Sequence, residues 1–88
     1  MNIILSDDLL NKLEYEGIRL EDVQKVIEHA ERLDEKIINT KKETFTAYLA
    51  LGTLTLWVEY FLTDNGFLVN SFYYHRIQIE ENTNNGRE

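Results

Sequence analysis

The sequence feature that most constrains the fold is a long β-hairpin predicted over residues 53–79. The two runs on either side of residues 63–66 are rich in β-branched and aromatic side chains and contain no proline, as β-strands prefer. Asn65-Gly66 favours a type I′ turn, because both residues tolerate positive φ. A two-residue loop there and a four-residue loop give the same faces, whereas a three-residue loop exchanges them. We expect one of the first two.

In that register the two faces of the hairpin differ in character. One face is apolar and is predicted to be core: Leu54, Leu56, Val58, Tyr60, Leu62, Val69, Ser71, Tyr73, His75, Ile77 and Ile79. The other face mixes aromatic and polar groups: Thr53, Thr55, Trp57, Glu59, Phe61, Asn70, Phe72, Tyr74, Arg76 and Gln78. Contiguous aromatic surface usually marks a partner or ligand site, so the second face is the candidate functional surface.

Two helices are predicted ahead of the hairpin. Ser6 suits an N-cap and Gly17 a C-cap, and they bound the first helix. The second helix covers residues 20–33, where apolar residues repeat at helical spacing: Leu20, Val23, Val26, Ile27, Ala30 and Leu33. Both helices begin with acidic residues, which the helix dipole favours.

A further strand is predicted over residues 44–51, and a short one over 36–39. The alternation in 44–51 and a turn at Gly52 add Phe45, Ala47 and Leu49 to the core face, and Thr46 and Tyr48 to the Trp57 face. The predicted fold class is α+β, with two N-terminal helices packed on one face of a three- or four-stranded antiparallel meander. Residues 1–79 are predicted to form this single domain, and 80–88 an acidic, disordered tail.

The composition excludes several classes of site. The 88 residues contain no cysteine, which rules out disulfides, zinc–thiolate sites, cysteine-ligated clusters and thiol catalysis. No signal peptide or long apolar run is present, so we expect a soluble, cytoplasmic protein with no membrane association.

The net charge of −7 is unevenly distributed along the chain. Residues 1–36 hold ten Asp and Glu against five Lys and Arg, while residues 37–79 hold three of each. An acidic chain without a basic stripe repels a phosphate backbone, which argues against nucleic-acid binding. The charge itself is more simply explained as a solvated helix surface.

Candidate chemistry is sparse in this sequence. His75 is predicted to point towards the helices, where a structural histidine is favoured over a proton-transfer group. Glu59 and Arg76 share the second face and form either a small-ligand site or an ordinary surface ion pair. No phosphate-binding loop, nucleophile motif or metal-ligand set is present, so we expect no cofactor, no metal and no catalytic residue.

Trp57-Val-Glu-Tyr60 and Tyr73-Tyr-His-Arg-Ile77 resemble the signature of a small bacterial family with a "WVEY" and a "Y-x-HR" motif. The resemblance spans most of residues 5–79. It implies an accessory or interaction domain beside flavin or iron–sulfur oxidoreductases of the glutamate synthase type, with Trp57, Glu59, His75 and Arg76 as signature residues.

A weaker resemblance is to toxins of the RelE type, which also place helices before an antiparallel sheet and engage RNA through basic residues. The sheet of this chain offers only Lys41, Lys42 and Arg76 for that purpose. This departure argues against a ribonuclease.

The sequence therefore predicts a non-catalytic interaction domain that forms a homodimer or docks on a protein partner. Its predicted binding residues are Tyr48, Trp57, Glu59, Phe61, Asn70, Phe72, Tyr74 and Arg76, with His75 as a candidate functional histidine. The alternative is a small-ligand binder or weak enzyme with a pocket around Glu59, Tyr74 and Arg76.

Overall fold

The structure, a computed structural model, describes residues 1–77. Its elements, in chain order, are β1 (Ile3–Ile4), α1 (Asp7–Tyr15), α2 (Leu20–Leu33), β2 (Ile37–Asn39), β3 (Thr44–Leu51), β4 (Leu54–Thr63) and β5 (Gly66–Arg76). No helix in this part of the chain is long and apolar enough to cross a membrane. Gln78 and Ile79, predicted to end the last strand, and the predicted tail lie outside the described residues.

The strands form one mixed sheet in the order β1-β5-β4-β3-β2. Its neighbours pair antiparallel except for β1, which runs parallel to β5. The α+β prediction is confirmed, whereas the purely antiparallel meander of three or four strands is wrong. The largely apolar residues 1–5 predict a brief edge strand, and β1 is one, but two residues are too few to predict its parallel pairing with β5.

Both helices begin and end close to their predicted limits. The Ser6 hydroxyl accepts the Leu9 N–H at 3.2 Å and caps α1. Gly17 follows the end of α1 with φ +73°, a conformation that glycine adopts without strain, and turns the chain towards α2. At the start of α2 the Asp22 carboxylate accepts the Arg19 N–H at 3.0 Å.

The core lies between α2 and the middle of the sheet. Val23, Val26 and Ile27 of α2 are fully buried, as are Leu56 and Val58 of β4. Fully burying a side chain of this size contributes about 1.5–3 kcal/mol, so this layer is the main source of stability. Two residues of the predicted α2 stripe, Leu20 and Leu33, lie at the helix ends and remain exposed.

The faces predicted for β3 and β4 are confirmed, and the turn between them is Gly52-Thr53, because Leu51 pairs with Leu54. Phe45, Ala47 and Leu49 pair with Tyr60, Val58 and Leu56 on the helix-facing side. Thr46 and Tyr48 pair with Glu59 and Trp57 on the opposite side.

The β4–β5 turn differs from its prediction. Thr63 pairs with Gly66, so the loop is Asp64-Asn65, and neither loop residue has positive φ. The Thr63 hydroxyl closes the turn by accepting the Asn65 N–H at 3.2 Å and donating to the Gly66 carbonyl at 2.8 Å. A type I′ turn at Asn65-Gly66 is therefore wrong. Gly66 instead allows β1 to approach, because a Cβ there would clash with the backbone of Asn2.

A β-bulge divides the hairpin into two halves with different face assignments. Tyr60 pairs with Val69 and Glu59 with Ser71, which leaves Asn70 as an extra residue on β5. Side chains of β5 that precede Asn70 lie on their predicted faces, and those that follow it lie on the opposite faces. Placing Phe72, Tyr74 and Arg76 on the aromatic face is therefore wrong, and so is placing Ser71, Tyr73, His75 and Ile77 in the core.

Candidate interaction surface

The outer face is the side of the sheet turned away from both helices. It carries Thr46, Tyr48, Thr55, Trp57, Glu59, Phe61, Ser71, Tyr73 and His75 from β3, β4 and β5. The helices pack on the other side, against the buried side chains of the core. Among residues 1–77 no helix covers this surface.

Three aromatic rings at the centre of the outer face form the aromatic stack, Tyr48–Trp57–Tyr73. The sheet register places them directly side by side on β3, β4 and β5. The Tyr48 and Trp57 ring centroids lie 5.6 Å apart, and those of Trp57 and Tyr73 lie 4.9 Å apart with planes only 5° from parallel. Tyr48 and Tyr73 remain 59% and 61% exposed. Each stacked pair contributes about 0.5–1.5 kcal/mol beyond its buried area.

The geometry of the stack determines what it can offer a partner. Coplanar rings lying side by side could not approach to 4.9 Å, so the faces of Trp57 and Tyr73 are turned towards each other. The spacing equals the separation of neighbouring strands, which holds the rings upright on the sheet. The stack therefore presents ring edges to a partner, mainly those of its two exposed tyrosines.

Glu59 lies beside the stack in a saturated polar cluster. One carboxylate oxygen accepts from the Asn70 amide at 2.7 Å and the Ser71 hydroxyl at 3.2 Å. The other accepts from the Thr44 hydroxyl at 3.0 Å, with the Lys42 ammonium 3.9 Å away. A carboxylate has about four acceptor positions, so little capacity remains for a ligand.

The pKa of Glu59 is lowered by this cluster. The Asn70 hydrogen bond is the largest cause, with smaller contributions from Thr44, Ser71 and the charge of Lys42, and together they outweigh the effect of burial. Glu59 is therefore ionised at neutral pH and its charge is internally compensated. The bulge makes this possible, because it brings Asn70 and Ser71 to one carboxylate.

A second carboxylate cluster lies on the helix-facing side of the same strand. The Tyr60 hydroxyl donates to Glu31 at 2.5 Å, and the Lys36 ammonium lies 2.7 Å from the same oxygen. Burial raises the pKa of Tyr60, and the neighbouring Glu31 carboxylate raises it further. Burial alone would raise the pKa of Glu31, but its hydrogen bonds and the charge of Lys36 lower it overall. This cluster ties the end of α2 to β4.

The structure brings together only part of the predicted binding set. Tyr48, Trp57, Glu59 and Phe61 lie on the outer face, and Asn70 joins them through its bond to Glu59. Phe72 is 5% exposed and belongs to the core, with the Lys12 ammonium 5.3 Å from its ring centroid.

Tyr74 and Arg76 lie on the helix-facing side at the end of α1. The Tyr74 hydroxyl donates to the Glu16 carboxylate, which raises the pKa of Tyr74. The Arg76 guanidinium donates to the Glu16 backbone carbonyl at 2.8 Å. Glu59 and Arg76 therefore occupy opposite faces, and the predicted pocket of Glu59, Tyr74 and Arg76 does not form.

His75 also lies where the sequence did not place it. It pairs with Thr55 and is exposed on the outer face, so its predicted orientation towards the helices is wrong. No three His, Asp or Glu side chains among residues 1–77 are arranged to hold a metal ion.

The outer face continues into an open sheet edge. β2 pairs with only the first three residues of β3, and leaves Ala47–Leu51 without a neighbouring strand among the described residues. A cavity of about 450 Å³ lies along this edge, lined by His29, Glu35, Lys36, Ile37, Thr46, Tyr48, Leu49 and Ala50. Unpaired main-chain groups on an edge strand favour association with another extended segment.

Sequence reasoning missed Tyr73, although the spacing of apolar residues in β5 contains a signal. Phe67 and Val69 are two residues apart, the next buried apolar residue is Phe72, and Tyr74 follows it at a spacing of two. A strand keeps one face at period two, so the spacing of three marks the inserted residue.

Comparisons with known proteins return no significant match: no family model matches the chain, and neither a curated protein nor a solved structure is significantly similar to it. The resemblances to the "WVEY" family and to RelE-type toxins stay predictions.

Proposed function

We propose that this chain is a non-catalytic interaction domain that self-associates through its outer face. The observation that carries the proposal is the aromatic stack, whose two tyrosines are more than half exposed on a sheet face that neither helix covers. Upright aromatic rings with exposed edges suit a protein interface, where Tyr and Trp combine apolar contact with hydrogen bonding.

Charge favours a second copy as the occupant. The chain carries a net charge of −7, so most of its surface repels another copy. The outer face differs, because Glu59 is compensated by Asn70, Ser71, Thr44 and Lys42, and its neighbours in the stack are uncharged. Two copies can therefore approach through this surface without placing like charges against each other.

A protein surface is favoured over a small-ligand site by the shape of the face. The depression beside the stack, lined by Thr46, Trp57, Glu59, Ser71, Phe72 and Tyr73, has a volume of about 150 Å³. Small-molecule sites usually enclose about 300–1,000 Å³. Both faces of the Trp57 ring are also occupied by the two tyrosines, and Glu59 has little acceptor capacity left.

The open β3 edge extends the proposed interface. Ala47–Leu51 carries no charged residue, whereas natural sheet edges are commonly protected by charge, proline or a bulge. Tyr48 belongs to both the stack and the edge cavity, so a copy that packs on the stack also reaches the edge. Including the edge enlarges the surface that the two copies bury, and stable complexes usually bury roughly 1,200–2,000 Å² in total.

The test compares two tyrosines on opposite sides of the molecule. Tyr73→Ala and Trp57→Ala remove parts of the stack, whereas Tyr15→Ala removes a tyrosine that is 88% exposed on α1. Sedimentation equilibrium should show self-association weakened at least tenfold by the first two changes and left unchanged by the third. Circular dichroism confirms that each variant keeps its fold.

Equal association in all three variants would overturn the proposed interface. If the wild-type chain stays monomeric but binds another protein, and Trp57→Ala abolishes that binding, the occupant of the outer face is that protein rather than a second copy. The resemblance to domains near oxidoreductases of the glutamate synthase type makes such an enzyme the first partner to examine.

A further inference from the structure

A polar cavity of about 490 Å³ lies at the end of the sheet where the β3–β4 turn meets the start of α2. Its lining consists of Gly17, Arg19, Asp22, Lys25, Leu51, Gly52, Thr53, Leu54 and Arg76. This basic cavity lies on the helix-facing side and is separate from the aromatic stack.

The cavity concentrates positive charge in an otherwise acidic chain. Three cationic side chains and one carboxylate, Asp22, line it, and Arg19 is also paired at 2.9 Å with Glu21 outside the lining. Asp22 is already engaged, because it accepts the Arg19 N–H at 3.0 Å and lies 3.5 Å from the Arg19 guanidinium. Among residues 1–77 neither Lys25 nor Arg76 forms a direct ion pair, so both side chains can reach an anion in the cavity.

Arg76 is held in place before any ligand arrives. Its guanidinium donates one hydrogen bond to the Glu16 carbonyl at 2.8 Å and lies 5.3 Å from the centroid of the Tyr74 ring. A guanidinium has five N–H donors in a planar fork, so most of its donors stay available. Fixing the group in advance reduces the entropy lost when it binds an anion.

We propose that the basic cavity binds a small polar molecule through an oxyanion group, a phosphoryl or a carboxylate, with Arg76 as the main contact and Lys25 as the second. The planar fork of Arg76 matches two oxygens of either group. Lys25 adds a mobile point charge, and the Thr53 hydroxyl and Gly52 backbone offer hydrogen bonds to the rest of the molecule. The volume falls within the usual range of about 300–1,000 Å³ for small-molecule sites.

The experiment follows backbone and arginine N–H resonances while the full chain is titrated with sodium phosphate and, separately, with sodium acetate, at constant ionic strength set by sodium chloride. Saturable shifts are expected at Gly17, Gly52 and the Arg76 side chain. Gly66, in the turn at the start of β5, is the internal reference and should not shift. The anion that saturates at the lower concentration identifies the phosphoryl or the carboxylate as the preferred group.

Three variants separate a site from a general salt effect. Arg76→Gln should weaken binding at least about tenfold, as expected for the loss of a charge-assisted contact. Lys25→Gln should weaken it by about threefold, a smaller loss because a mobile ammonium gives up more side-chain entropy than a fixed guanidinium. Arg32→Gln removes one exposed positive charge from the other end of α2 and should change nothing.

Shifts that grow linearly without saturating, that include Gly66, or that are equal in Arg32→Gln and Lys25→Gln would overturn the proposal. If Arg76→Gln fails to fold, the proposal is tested by two other results: the threefold loss expected for Lys25→Gln, and the location of the wild-type shifts at Gly17 and Gly52. The self-association test on the outer face is independent, so either proposal can fail alone.

Discussion

The two faces of the sheet are built from alternate residues of the same strand, yet they differ in how they are covered. Leu56, Val58 and Tyr60 of β4 are fully buried beneath α2, and Trp57 and Glu59 between them turn to the outer face. Each face contains a carboxylate cluster, around Glu31 on the helix side and around Glu59 on the outer side. One face therefore stabilises the fold, and the other is the aromatic surface that we propose for self-association.

The contrast shows how a small domain keeps an aromatic face compatible with water. Stacking turns ring faces towards each other, and the Glu59 cluster compensates the one charge beside them. Mutations on the two faces should consequently separate stability from association.

The largest effect is expected at the first buried residue after the bulge. Phe72→Ala opens a cavity in the core, because Phe72 is only 5% exposed on the helix-facing side. Losing a buried Phe from a core costs about 3–5 kcal/mol, so urea unfolding should show a drop of that size or no cooperative folding. Tyr73→Ala, one residue later on the outer face, loses one stacked pair and should cost about 0.5–1.5 kcal/mol. Equal losses in the two variants would contradict the register.

The next effect compares neighbouring residues on opposite faces. Leu56→Ala opens a cavity beneath α2 and should lower the free energy of unfolding by about 2–5 kcal/mol, because Leu56 is fully buried. Thr55→Ala, one residue earlier on the outer face, should stay within about 0.5 kcal/mol. Chemical denaturation monitored by circular dichroism gives both values, and a costly Thr55→Ala would mean that the outer face is also core.

The smallest effect depends on pH. The pKa of Glu59 is lowered in the folded chain, so its stabilising contribution is present above the ordinary pKa of about 4.3 and is lost as the pH falls through the folded value. Glu59→Gln should therefore lower stability at pH 7 by about 1.5–3 kcal/mol, the usual value of hydrogen bonds to a charged group. The difference from the wild type should shrink as the pH falls below about 4.3 and through the lower folded pKa.

Two matched substitutions sharpen this comparison. Glu31→Gln, on the helix side, should show the same pH trend, because the pKa of Glu31 is also lowered. Glu28→Gln removes an exposed carboxylate without a hydrogen-bonding partner among residues 1–77, and should have little effect on stability at neutral pH. A difference in stability between Glu59→Gln and the wild type that does not change as the pH is lowered would show that the charge of Glu59 is not what stabilises its cluster.

Local patterns in the sequence predicted the helices and the β3–β4 pair well. Ser6, Gly17 and the apolar repeat of α2 each act over a few residues, and the alternation in β3 is uninterrupted. The position of β1 could not be predicted, because it depends on the close approach of Asn2 to Gly66 across the length of the chain.

The candidate site was predicted only up to the bulge. Tyr48, Trp57 and Glu59 lie before it and were placed on the correct face, whereas Phe72, Tyr74 and Arg76 lie beyond it. One inserted residue moves every later side chain of the strand to the opposite face of the sheet. Missing the insertion at Asn70 therefore placed three predicted binding residues on the wrong face.

The most direct test of self-association through the outer face uses the only tryptophan in the chain. Trp57 lies at the centre of the aromatic stack, so its fluorescence reports on that surface alone. Light scattering and emission spectra should be recorded on the same dilution series near physiological salt. The proposal predicts twice the chain mass of 10.4 kDa at high concentration, and a fall to 10.4 kDa on dilution that coincides with a red shift of the emission. A mass of 10.4 kDa at every concentration, or dissociation without a change in Trp57 emission, would contradict it.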